Sequence, residues 1–529
     1  MTSLPPFLSP PPEVRLVNRF ARGFDHAVAA ARTCYSQRIV SPEEVAGDGE
    51  APEEVRRRQA RRLALAQDIY RAGHHTTFQH AQFQFALSRV SRQFLWSFLH
   101  SHPFYNSEQV SQRYVPVRDG EYAVPPLAGE ALAIYRAAAN RMQEDYRELA
   151  EALMPAARSA FFQIFPARRH QAERWEREVR KRAREAARYV LPVATFAHLY
   201  HTVSAITLLR YHRLCALYDA PHEQRLVIGR MVAEVLHTDP EYAAILEEPL
   251  PLEETPEYAA FSRLGRDEGP APGFREAFDR SLDGATSRLV DWPANGEATL
   301  AAAVREVLGA SAAEIADDEA IALLLDPAAN RYHGESLRLT THSKLGRALS
   351  HLHYVFRKRL SHTADSQDQR HRMTPASRPL LAAQVGAEPD VITPQLVARE
   401  PAAEALFQAA CARAWEAIAR LRRLGVPVEY AHYLLPNATA VRFTESADLL
   451  HLHHKLTLRL CYNAQEEIWR ASLDEANQIR AHHPRIGRWL LPPCGLRDRA
   501  GAKPICPEGP RFCGIAVWRL TPDAYRRLL

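Results

Sequence analysis

The sequence is poor in several residue types, and each shortage excludes a class of protein. It contains 7 cysteines and 5 methionines among 529 residues. Four of the cysteines are isolated, which is not the disulfide framework of a small secreted protein. No apolar run is long enough to cross a bilayer, and the proline-rich start lacks the basic-then-apolar order of a signal peptide. We therefore expect a cytoplasmic protein with no membrane association.

Neither positive nor negative charge is in large excess. The 67 Lys and Arg residues against 62 Asp and Glu leave a formal charge of +5. Such a balance gives no global field for a polyanion, so we expect no nucleic-acid partner, although local arginine clusters can still bind phosphate. The chain is rich in Ala, Leu and Arg and poor in Gly, and this composition favours helix over strand. Its length predicts two or more domains.

Two stretches of the first half recur without gaps in the second half. RLVNRFARGFDHAVAAARTCYS, residues 15–36, aligns with RLVDWPANGEATLAAAVREVLG, residues 288–309. Both predict an extended start, a turn and a short helix. Residues 187–223 align with 431–467 at a constant offset of 244, and each copy has a helix that ends at a Leu-Pro step. The chain is therefore predicted to be a tandem duplication.

The linking stretch supports this division. Residues 247–285 are rich in Pro, Gly and acidic residues, a composition typical of a linker or an inserted excursion. We place the repeats at residues 1–285 and 286–529. The second repeat carries a C-terminal extension that contains cysteines.

Two arginine-containing loops form a third pair of similar segments. WSFLHSHPFYNSEQVSQRY, residues 96–114, aligns with HYVFRKRLSHTADSQDQRH, residues 353–371. In this register His100 lies opposite Arg357, and Arg113 lies opposite Arg370. Guanidinium forks, loop amides and serine hydroxyls together bind phosphate, so both loops are candidate phosphate sites. The alternative for either loop is a solvated, charged connection between helices.

The first repeat also contains a histidine- and threonine-rich segment, GHHTTFQHAQFQFALSRVSRQ, residues 73–93. Its QFQFALSRV portion alternates as a half-buried strand does. The preceding His74, His75, Thr76 and His80 are candidate cofactor contacts, but for any single histidine a structural role is the more frequent explanation.

These motifs together resemble the flavin-dependent thymidylate synthases (ThyX). That family has a His-x-Thr/Ser element before a strand, an Arg-His-Arg triplet, and a Ser-x-Arg-Tyr/Phe ending, which here is SQRY at residues 111–114. ARYVLP at 187–192 resembles its Ala-Arg-x-x-Leu-Pro motif. LRLCYNAQEEIW at 458–469 resembles its Leu-Arg and Ala-Gln-x-Glu-Ile motifs. Similar motifs occur in order in both halves.

The resemblance implies an α+β fold of two ThyX-like repeats, each helix-rich with a small antiparallel sheet, related by a pseudo-twofold axis. It also implies FAD as cofactor, NADPH and methylenetetrahydrofolate as co-substrates, and methylation of dUMP to dTMP. In the family, hydride from the reduced flavin takes the part of a nucleophile, so no enzyme cysteine is required. Because the family forms homotetramers, a duplicated chain is expected to form a homodimer that is a pseudo-tetramer of repeats.

Each repeat departs from the family pattern in a different place. The first has His100, Ser101 and His102 at the triplet, and Cys215 where the pyrimidine-side arginine falls. In the register above, the second has Asp368 in place of the loop serine and His432 in place of the Leu-Pro arginine. The repeats thus keep complementary parts, which favours one composite site from both copies, with the opposite composite inactive.

The resemblance assigns roles to residues of both repeats. The predicted catalytic residues are Ser111, Arg113, Arg188 and Arg459. The predicted substrate-binding residues are Gln109, Ser111, Arg113, Arg188, Arg357, Arg359, Arg370 and Arg459. The predicted cofactor-binding residues are His74, Thr76, Arg357, Lys358 and Arg359.

A second register remains open for the loop of the second repeat. The string RHRMTPASRP, residues 370–379, itself looks like the family triplet followed by a serine. In that register Arg370, His371, Arg372 and Ser377 form the nucleotide loop in place of Arg357, Lys358 and Arg359.

Three cysteines near the C-terminus are candidate zinc ligands. Cys494, Cys506 and Cys513 lie among Pro and Gly turns, and His482 or His483 is near enough in sequence to be a fourth ligand. A Cys-x-x-Cys pair is absent, so a compact reduced turn region is the alternative. Two of the histidines of HLHHK, residues 451–455, are expected to face solvent or a partner.

Three functional hypotheses follow. The first is an active FAD-dependent thymidylate synthase with a hybrid site. The second is a degenerate relative that binds nucleotide or flavin without forming dTMP, as a regulator or on another pyrimidine. The third is a structural protein that keeps only the fold.

Overall fold

The computed structural model describes residues 4–100, 102–216, 219–265 and 268–529. Ser101, which belongs to the triplet position of the first repeat, lies outside these ranges. The chain is helix-rich and has two small antiparallel sheets, as predicted. No helix in the described part of the chain combines the length and the apolarity that a membrane span requires.

The strands are distributed evenly between the repeats. Those of the first repeat are β1 (Glu13–Arg19), β2 (Gln82–Ser91), β3 (Tyr105–Gln109) and β4 (Phe196–Ser204). Those of the second are β5 (Ser287–Asp291), β6 (His353–Ser361), β7 (Ala376–Ser377) and β8 (Ala440–Asp448). The sheet orders are β1-β2-β4-β3 and β5-β6-β8-β7, with antiparallel pairing throughout. Both sheets therefore have the same topology, as a duplication requires.

The α-helices up to residue 285 are α1 (Gly23–Thr33), α2 (Pro42–Ala46), α3 (Pro52–Arg71), α4 (Arg92–Leu99), α5 (Gly129–Ala152), α6 (Met154–Ile164), α7 (Ala172–Ala187), α8 (Ala205–Arg213), α9 (Pro221–Thr238), α10 (Pro256–Arg263) and α11 (Phe274–Ser281). The segment expected to be a linker thus contains the last two of these helices.

The α-helices after residue 285 are α12 (Gly296–Leu308), α13 (Asp317–Leu325), α14 (His362–Asp368), α15 (Leu381–Gln384), α16 (Gln395–Ala398), α17 (Pro401–Arg423), α18 (Val428–His432), α19 (Leu449–Arg459), α20 (Glu466–His482), α21 (Pro484–Gly487) and α22 (Pro493–Arg499). Short 3-10 turns that bear on the sites below are His75–Gln79, Arg188–Val190, Arg331–Gly334 and Leu339–His342.

Contacts divide the chain into two compact units, each of which includes a segment of the other repeat. Unit 1 comprises Met1–Arg141, Pro192–Asp267 and Glu416–Leu435. Unit 2 comprises Met142–Leu191, Glu268–Trp415 and Pro436–Leu529. The repeat boundary near residue 285 remains a prediction, because it concerns ancestry rather than these contacts.

Each unit has its own apolar core. In unit 1, alternate residues of β2, such as Phe83, Phe85 and Leu87, are buried and pack with residues of α1, α4, α8 and α9. In unit 2, Tyr354 and Phe356 of β6 are buried with residues of α12, α13, α19 and α20. The period of two in each strand places one face against the core.

Candidate functional site

The structure aligns the two arginine-containing loops differently from the sequence register that placed His100 opposite Arg357. In unit 1, β2 ends at Ser91 and α4 follows; in unit 2, β6 ends at Ser361 and α14 follows. Ser91 and Ser361 both cap the next helix, accepting from the amides of Phe94 and Ala364. The equivalent of Ser91 is therefore Ser361, an offset of 270 residues.

The buried carboxylates support the same offset. The backbone N–H and hydroxyl of Ser91 donate to Glu223 at 2.7 and 2.6 Å. Those of Ser361 donate to Glu467 at 2.5 and 2.7 Å. Glu223 and Glu467 are related by the gap-free offset of 244 found in the sequence.

The register that placed Arg357 opposite His100 is therefore wrong, and the structure supports the alternative alignment of the triplet. That Arg370, His371, Arg372 and Ser377 form a nucleotide loop stays a prediction. His100 corresponds to Arg370, so the second repeat has Arg370, His371 and Arg372 where the first has His100, Ser101 and His102. The equal spacings of 13 positions, from His100 to Arg113 and from Arg357 to Arg370, are a coincidence. Asp368 consequently does not take the place of the loop serine.

In unit 1, the predicted substrate loop follows the end of β3. Gln109 pairs with Leu199 in the sheet, and its Oε1 accepts from Arg92 at 3.1 Å. The Ser111 hydroxyl accepts from the backbone N–H of Arg113 at 3.3 Å, and the Arg113 guanidinium lies 5.5 Å from the centre of the Tyr114 ring. Gln109, Ser111 and Arg113 are all half-buried, so one strand end and its loop bring them together.

The predicted cofactor residues of unit 1 lie on another element. His74 immediately precedes the 3-10 turn that begins at His75, and Thr76 lies within it. Both are exposed. Neither side chain has a hydrogen-bond partner among the described residues, so both are available to a ligand.

In unit 2, Arg357, Lys358 and Arg359 lie within β6 rather than in a loop. Arg357 is exposed. Arg359 pairs with Asp390 at 3.0 Å and with Asp279 at 3.6 Å. Lys358 points to the opposite, buried face, as the period of a strand requires.

Lys358 belongs to a buried ionic cluster that the sequence did not reveal. It consists of Lys358, Lys455, Asp368, Glu445 and Glu475, whose side chains are at most 1% exposed. Lys358 Nζ lies 3.1 Å from Asp368, 2.7 Å from Glu445 and 2.7 Å from Glu475, and Lys455 contacts Asp368 at 2.8 Å and also Glu445. The ammonium group of Lys358 is thus fully engaged inside the protein.

Two opposing effects determine the pKa values in this cluster: burial disfavours each charged form, and neighbouring opposite charges stabilise it. Burial alone would raise the pKa of Asp368, but Lys358 and Lys455 outweigh it and hold that pKa well below its usual range. Burial, together with the nearby Asp368, raises the pKa of Glu445 to about 7. Burial would lower the pKa of Lys358, yet the three carboxylates keep it well above its ordinary value.

Arg459 is oriented by His371, the middle residue of the triplet at residues 370–372. Its Nε donates to Nε2 of His371 at 2.8 Å, and its Nη2 donates to the carbonyl of Gln367 at 2.9 Å. Burial, reinforced by Arg459, holds the pKa of His371 well below its usual range. A neutral imidazole can accept from a guanidinium, whereas a protonated one cannot. Arg459 and the triplet therefore form one assembly at the end of α19 and α14.

Arg188 belongs to unit 2 although it comes from the first repeat. It begins the 3-10 turn Arg188–Val190 and is 4% exposed, and its carbonyl accepts from Asn437 at 3.0 Å. The equivalent His432 is also buried, and burial lowers its pKa to about 3. Cys215, at the position of Arg459 in the first repeat, is buried, and its thiol pKa is raised by burial to about 11. A buried neutral thiol cannot replace a phosphate-binding guanidinium.

The zinc site expected at Cys494, Cys506 and Cys513 is not found. Among the described residues, no group of three or more His, Cys, Asp or Glu residues is placed to hold a metal ion. Cys461 lies in the same neighbourhood, because its thiol interacts electrostatically with those of Cys506 and Cys513. Burial raises the pKa of Cys494 to about 12, so that thiol is protonated at neutral pH.

The histidines proposed as a fourth zinc ligand are engaged elsewhere. His483 hydrogen-bonds with the Tyr354 hydroxyl at 2.8 Å and the Pro293 carbonyl at 3.0 Å, and His482 stacks on Trp292 at 3.8 Å. The HLHHK histidines do not all face solvent. His453 is buried, and it lines a cavity with the half-buried His454.

Comparisons with known proteins match both repeats. A family model described as thymidylate synthase complementing protein matches residues 15–241 and 288–485. A flavin-dependent thymidylate synthase of Clostridium tetani is 30% identical over 218 residues, which are 40% of this chain and 77% of that protein.

Two further proteins of the same name match shorter stretches. The one from Sulfurisphaera tokodaii is 31% identical over 107 residues, 20% of this chain and 41% of that protein. The one from Mycolicibacterium gilvum is 33% identical over 141 residues, 26% of this chain and 51% of that protein. The chain thus spans about half or less of the length of these two relatives.

The family model matches most of the chain and does so once in each repeat, where the two sheets share one topology. The protein therefore belongs to the thymidylate synthase complementing protein family, the flavin-dependent thymidylate synthases (ThyX).

Proposed function

We propose that this protein is an FAD-dependent thymidylate synthase that methylates dUMP to dTMP, with methylenetetrahydrofolate and NADPH as co-substrates. The observation that carries the proposal is the complementary retention of cationic groups. The first repeat keeps the loop of Ser111 and Arg113, and the second keeps Arg459, held by His371, where the first has the buried Cys215.

The proposed site pools residues of both repeats. Ser111, Arg113 and Gln109 would bind the nucleotide from the first repeat, with Arg188 as a further cation. Arg370 and Arg459 would bind it from the second, because guanidinium forks suit phosphate and the uracil carbonyls. Arg357 and Arg359 have a smaller part in this proposal, since they lie on a strand and Arg359 already has two aspartate partners.

The chain offers His74 and Thr76 to the flavin. They fit this role because both side chains are exposed and lack protein partners among the described residues. When bound, the reduced flavin would supply the hydride for the transfer. The protein residues would bind the substrate, orient the pyrimidine and balance the negative charge that develops on it.

The proposed assembly is a homodimer in which two chains form a pseudo-tetramer of repeats, each chain with a pseudo-twofold relation between its halves. The identical topology of the two sheets supports this relation. One composite site per pair of repeats would be active, and the other, which relies on Cys215, would be inactive. The expected stoichiometry is one dUMP per chain.

Absorption spectroscopy of the purified full-length protein tests the proposal. We expect a yellow protein whose flavin bands are bleached by NADPH and restored when dUMP and methylenetetrahydrofolate are added, with dTMP detected chromatographically. A colourless protein that takes up no added FAD would contradict the proposal. Flavin reduction without dTMP formation would favour the degenerate relative that binds its ligands without this reaction.

A further inference from the structure

Unit 2 contains a cavity of about 170 Å³ that the proposed reaction does not use. It lies between α19, α22 and the segment of 3-10 turns at residues 331–342. Its polar lining includes His333, Arg338, His453, His454, Thr457 and Arg497. A cavity that holds a single water needs a volume of only about 10–15 Å³, so this cavity has room for a small molecule.

Two guanidinium groups of the lining have no carboxylate partner within the described ranges. Arg338 donates from Nη1 to Nδ1 of His454 at 3.2 Å, and the described residues give it no ion pair. Arg497 donates to backbone carbonyls, including those of Pro504 at 3.0 Å and Lys503 at 3.2 Å. Glu335, the acid in the lining, pairs instead with Arg331 at 3.1 Å. The cavity therefore has an uncompensated positive charge.

Arg338 is also held in an unfavourable backbone conformation. Its φ of 53° lies in the left-handed region, which a residue with a Cβ seldom adopts. Such strain persists where the surrounding structure requires a particular side-chain position, and it is concentrated at functional sites.

Two buried polar atoms in the cavity have no hydrogen-bond partner in the part of the chain that the structure describes. They are Nε2 of His453, a residue 6% exposed, and Oγ1 of Thr457, a residue 8% exposed. Buried polar groups in native proteins are normally paired, so each such exception calls for a ligand or water. Both atoms belong to residues one turn apart on α19.

The hydrogen-bonding roles of these groups define the ligand chemistry. His453 bonds to the backbone of Trp489, so its free Nε2 is the acceptor in the neutral ring. His454 accepts from Arg338 at Nδ1, which leaves its Nε2–H as a donor. Arg338, His454 and Thr457 therefore offer donors, and His453 offers one acceptor. A ligand that matches must be anionic and must also carry a donor group.

We propose that this cavity binds a phosphate-bearing small molecule, with its phosphate oxygens on Arg338, His454 and Thr457 and an O–H of the ligand donating to His453. Hydrogen phosphate and a hydroxylated phosphate monoester share this chemistry, whereas a simple carboxylate would leave His453 without a donor. The site adjoins the proposed dUMP residues, because the ring centre of His454 lies 6.1 Å from that of His371, which accepts from Arg459. The proposed phosphate contacts themselves are other residues.

The site belongs to the second repeat alone. At the constant offset of 244, the first repeat has Leu209, Arg210 and Arg213 at the positions of His453, His454 and Thr457. The acceptor and the hydroxyl are thus missing from the first repeat. The C-terminal extension also contributes Arg497, which has no counterpart there.

Isothermal titration of the full-length protein with inorganic phosphate, ribose 5-phosphate, dUMP and FAD tests the inference. We expect Arg338→Met to weaken binding of phosphate or ribose 5-phosphate at least tenfold, and Thr457→Val to weaken it severalfold. Arg347→Met is the matched control, because Arg347 is an exposed arginine of a nearby segment and does not line the cavity; affinity should stay within twofold.

The variants also separate this site from the proposed substrate site. Arg459→Ala should leave phosphate binding at the cavity unchanged while weakening dUMP binding. Arg338→Lys, which keeps the charge, provides the readout if Arg338→Met does not fold. The inference is overturned if the wild type binds none of the four compounds, if folded Arg338 variants bind like the wild type, or if all binding depends on Arg459.

Discussion

Tyr433 donates its phenolic hydrogen to Glu223 at 2.6 Å, which joins residues 210 positions apart within unit 1. Unit 2 contains the reciprocal bond, from Tyr189 to Glu467 at 2.7 Å. In both bonds the tyrosine belongs to one repeat and the carboxylate to the other. Because the same carboxylates hold Ser91 and Ser361, each helix that leads to a triplet is fixed by a residue of the opposite repeat.

Removal of one tyrosine hydroxyl should therefore destabilise the protein. Tyr433→Phe leaves the buried Glu223 with one donor fewer, and we expect a loss of about 1–3 kcal/mol in the free energy of unfolding. Urea denaturation followed by circular dichroism measures it. Tyr35→Phe is the control, since Tyr35 is 95% exposed. Equal midpoints for both variants would show that the bond to Glu223 contributes nothing.

The corrected register makes a prediction about nucleotide binding. Arg113→Ala and Arg370→Ala should each weaken dUMP binding by about 1–3 kcal/mol, the cost of a charge-assisted hydrogen bond left unmade. Arg357→Ala, in the exposed middle of β6, should change the affinity little. Titration calorimetry compares the three variants. A loss at Arg357 with no loss at Arg370 would restore the rejected register as the functional one.

His371 should control binding through Arg459. His371→Leu removes the acceptor that orients the guanidinium, and we expect dUMP affinity to fall about tenfold, or about 1.4 kcal/mol. His371→Gln retains an acceptor oxygen and should recover most of the affinity. The same titration measures both. Equal losses in the two variants would indicate that His371 acts only by filling space.

Glu429 predicts a specific pH dependence of stability. Burial raises its pKa from 4.5 to about 8 in the folded state, while its carboxylate accepts from the backbone N–H of His222 at 2.9 Å. The unfolded chain ionises this group first, so stability is lost as pH rises from about 4.5 to 8. We expect Glu429→Gln to remove on the order of 4 kcal/mol of this loss.

Urea denaturation at a series of pH values from 5 to 8 measures the Glu429 effect. The exposed Glu253→Gln controls for the loss of one charge. If wild type and Glu429→Gln lose stability in parallel over this range, the carboxyl is already ionised in the folded protein at low pH.

The buried ionic cluster should be intolerant of single changes. Lys358→Met leaves Asp368, Glu445 and Glu475 with one ammonium group among three carboxyls, and we expect a loss of about 3–5 kcal/mol. Arg357→Met, one position earlier but exposed, is the matched control. Thermal denaturation compares them. Similar melting temperatures would mean that protonation of Glu445 compensates for the missing lysine.

The sequence predicted most of the scaffold because its signals were local. The alternation in QFQFALSRV became β2, and the two aligned stretches at residues 15 and 288 became β1–α1 and β5–α12. These elements depend on side-chain period and turn residues within a few positions. The family resemblance likewise depended on short contiguous motifs.

The register of the second loop failed for a physical reason. The segment from His353 to Ser361 has apolar residues at alternate positions, Tyr354, Phe356 and Leu360, which is a strand period. Lys358 occupies the other core-facing position of this strand. Its charge interrupts the apolar pattern, and the segment was therefore interpreted as a loop. Only the distant Asp368, Glu445 and Glu475 make a lysine acceptable there, and no local pattern reveals them.

The ionic cluster has a consequence for how the two halves can evolve. In unit 1, the position of Glu445 is His201 and that of Lys455 is Tyr211, both buried among aromatic rings. A recombination event that copied part of one half into the other would place unpaired charges in an apolar core. The reverse event would place aromatic rings in the ionic cluster. Gene conversion, which ordinarily makes tandem copies alike again, would thus be selected against here, so the halves are free to keep diverging in their chemistry.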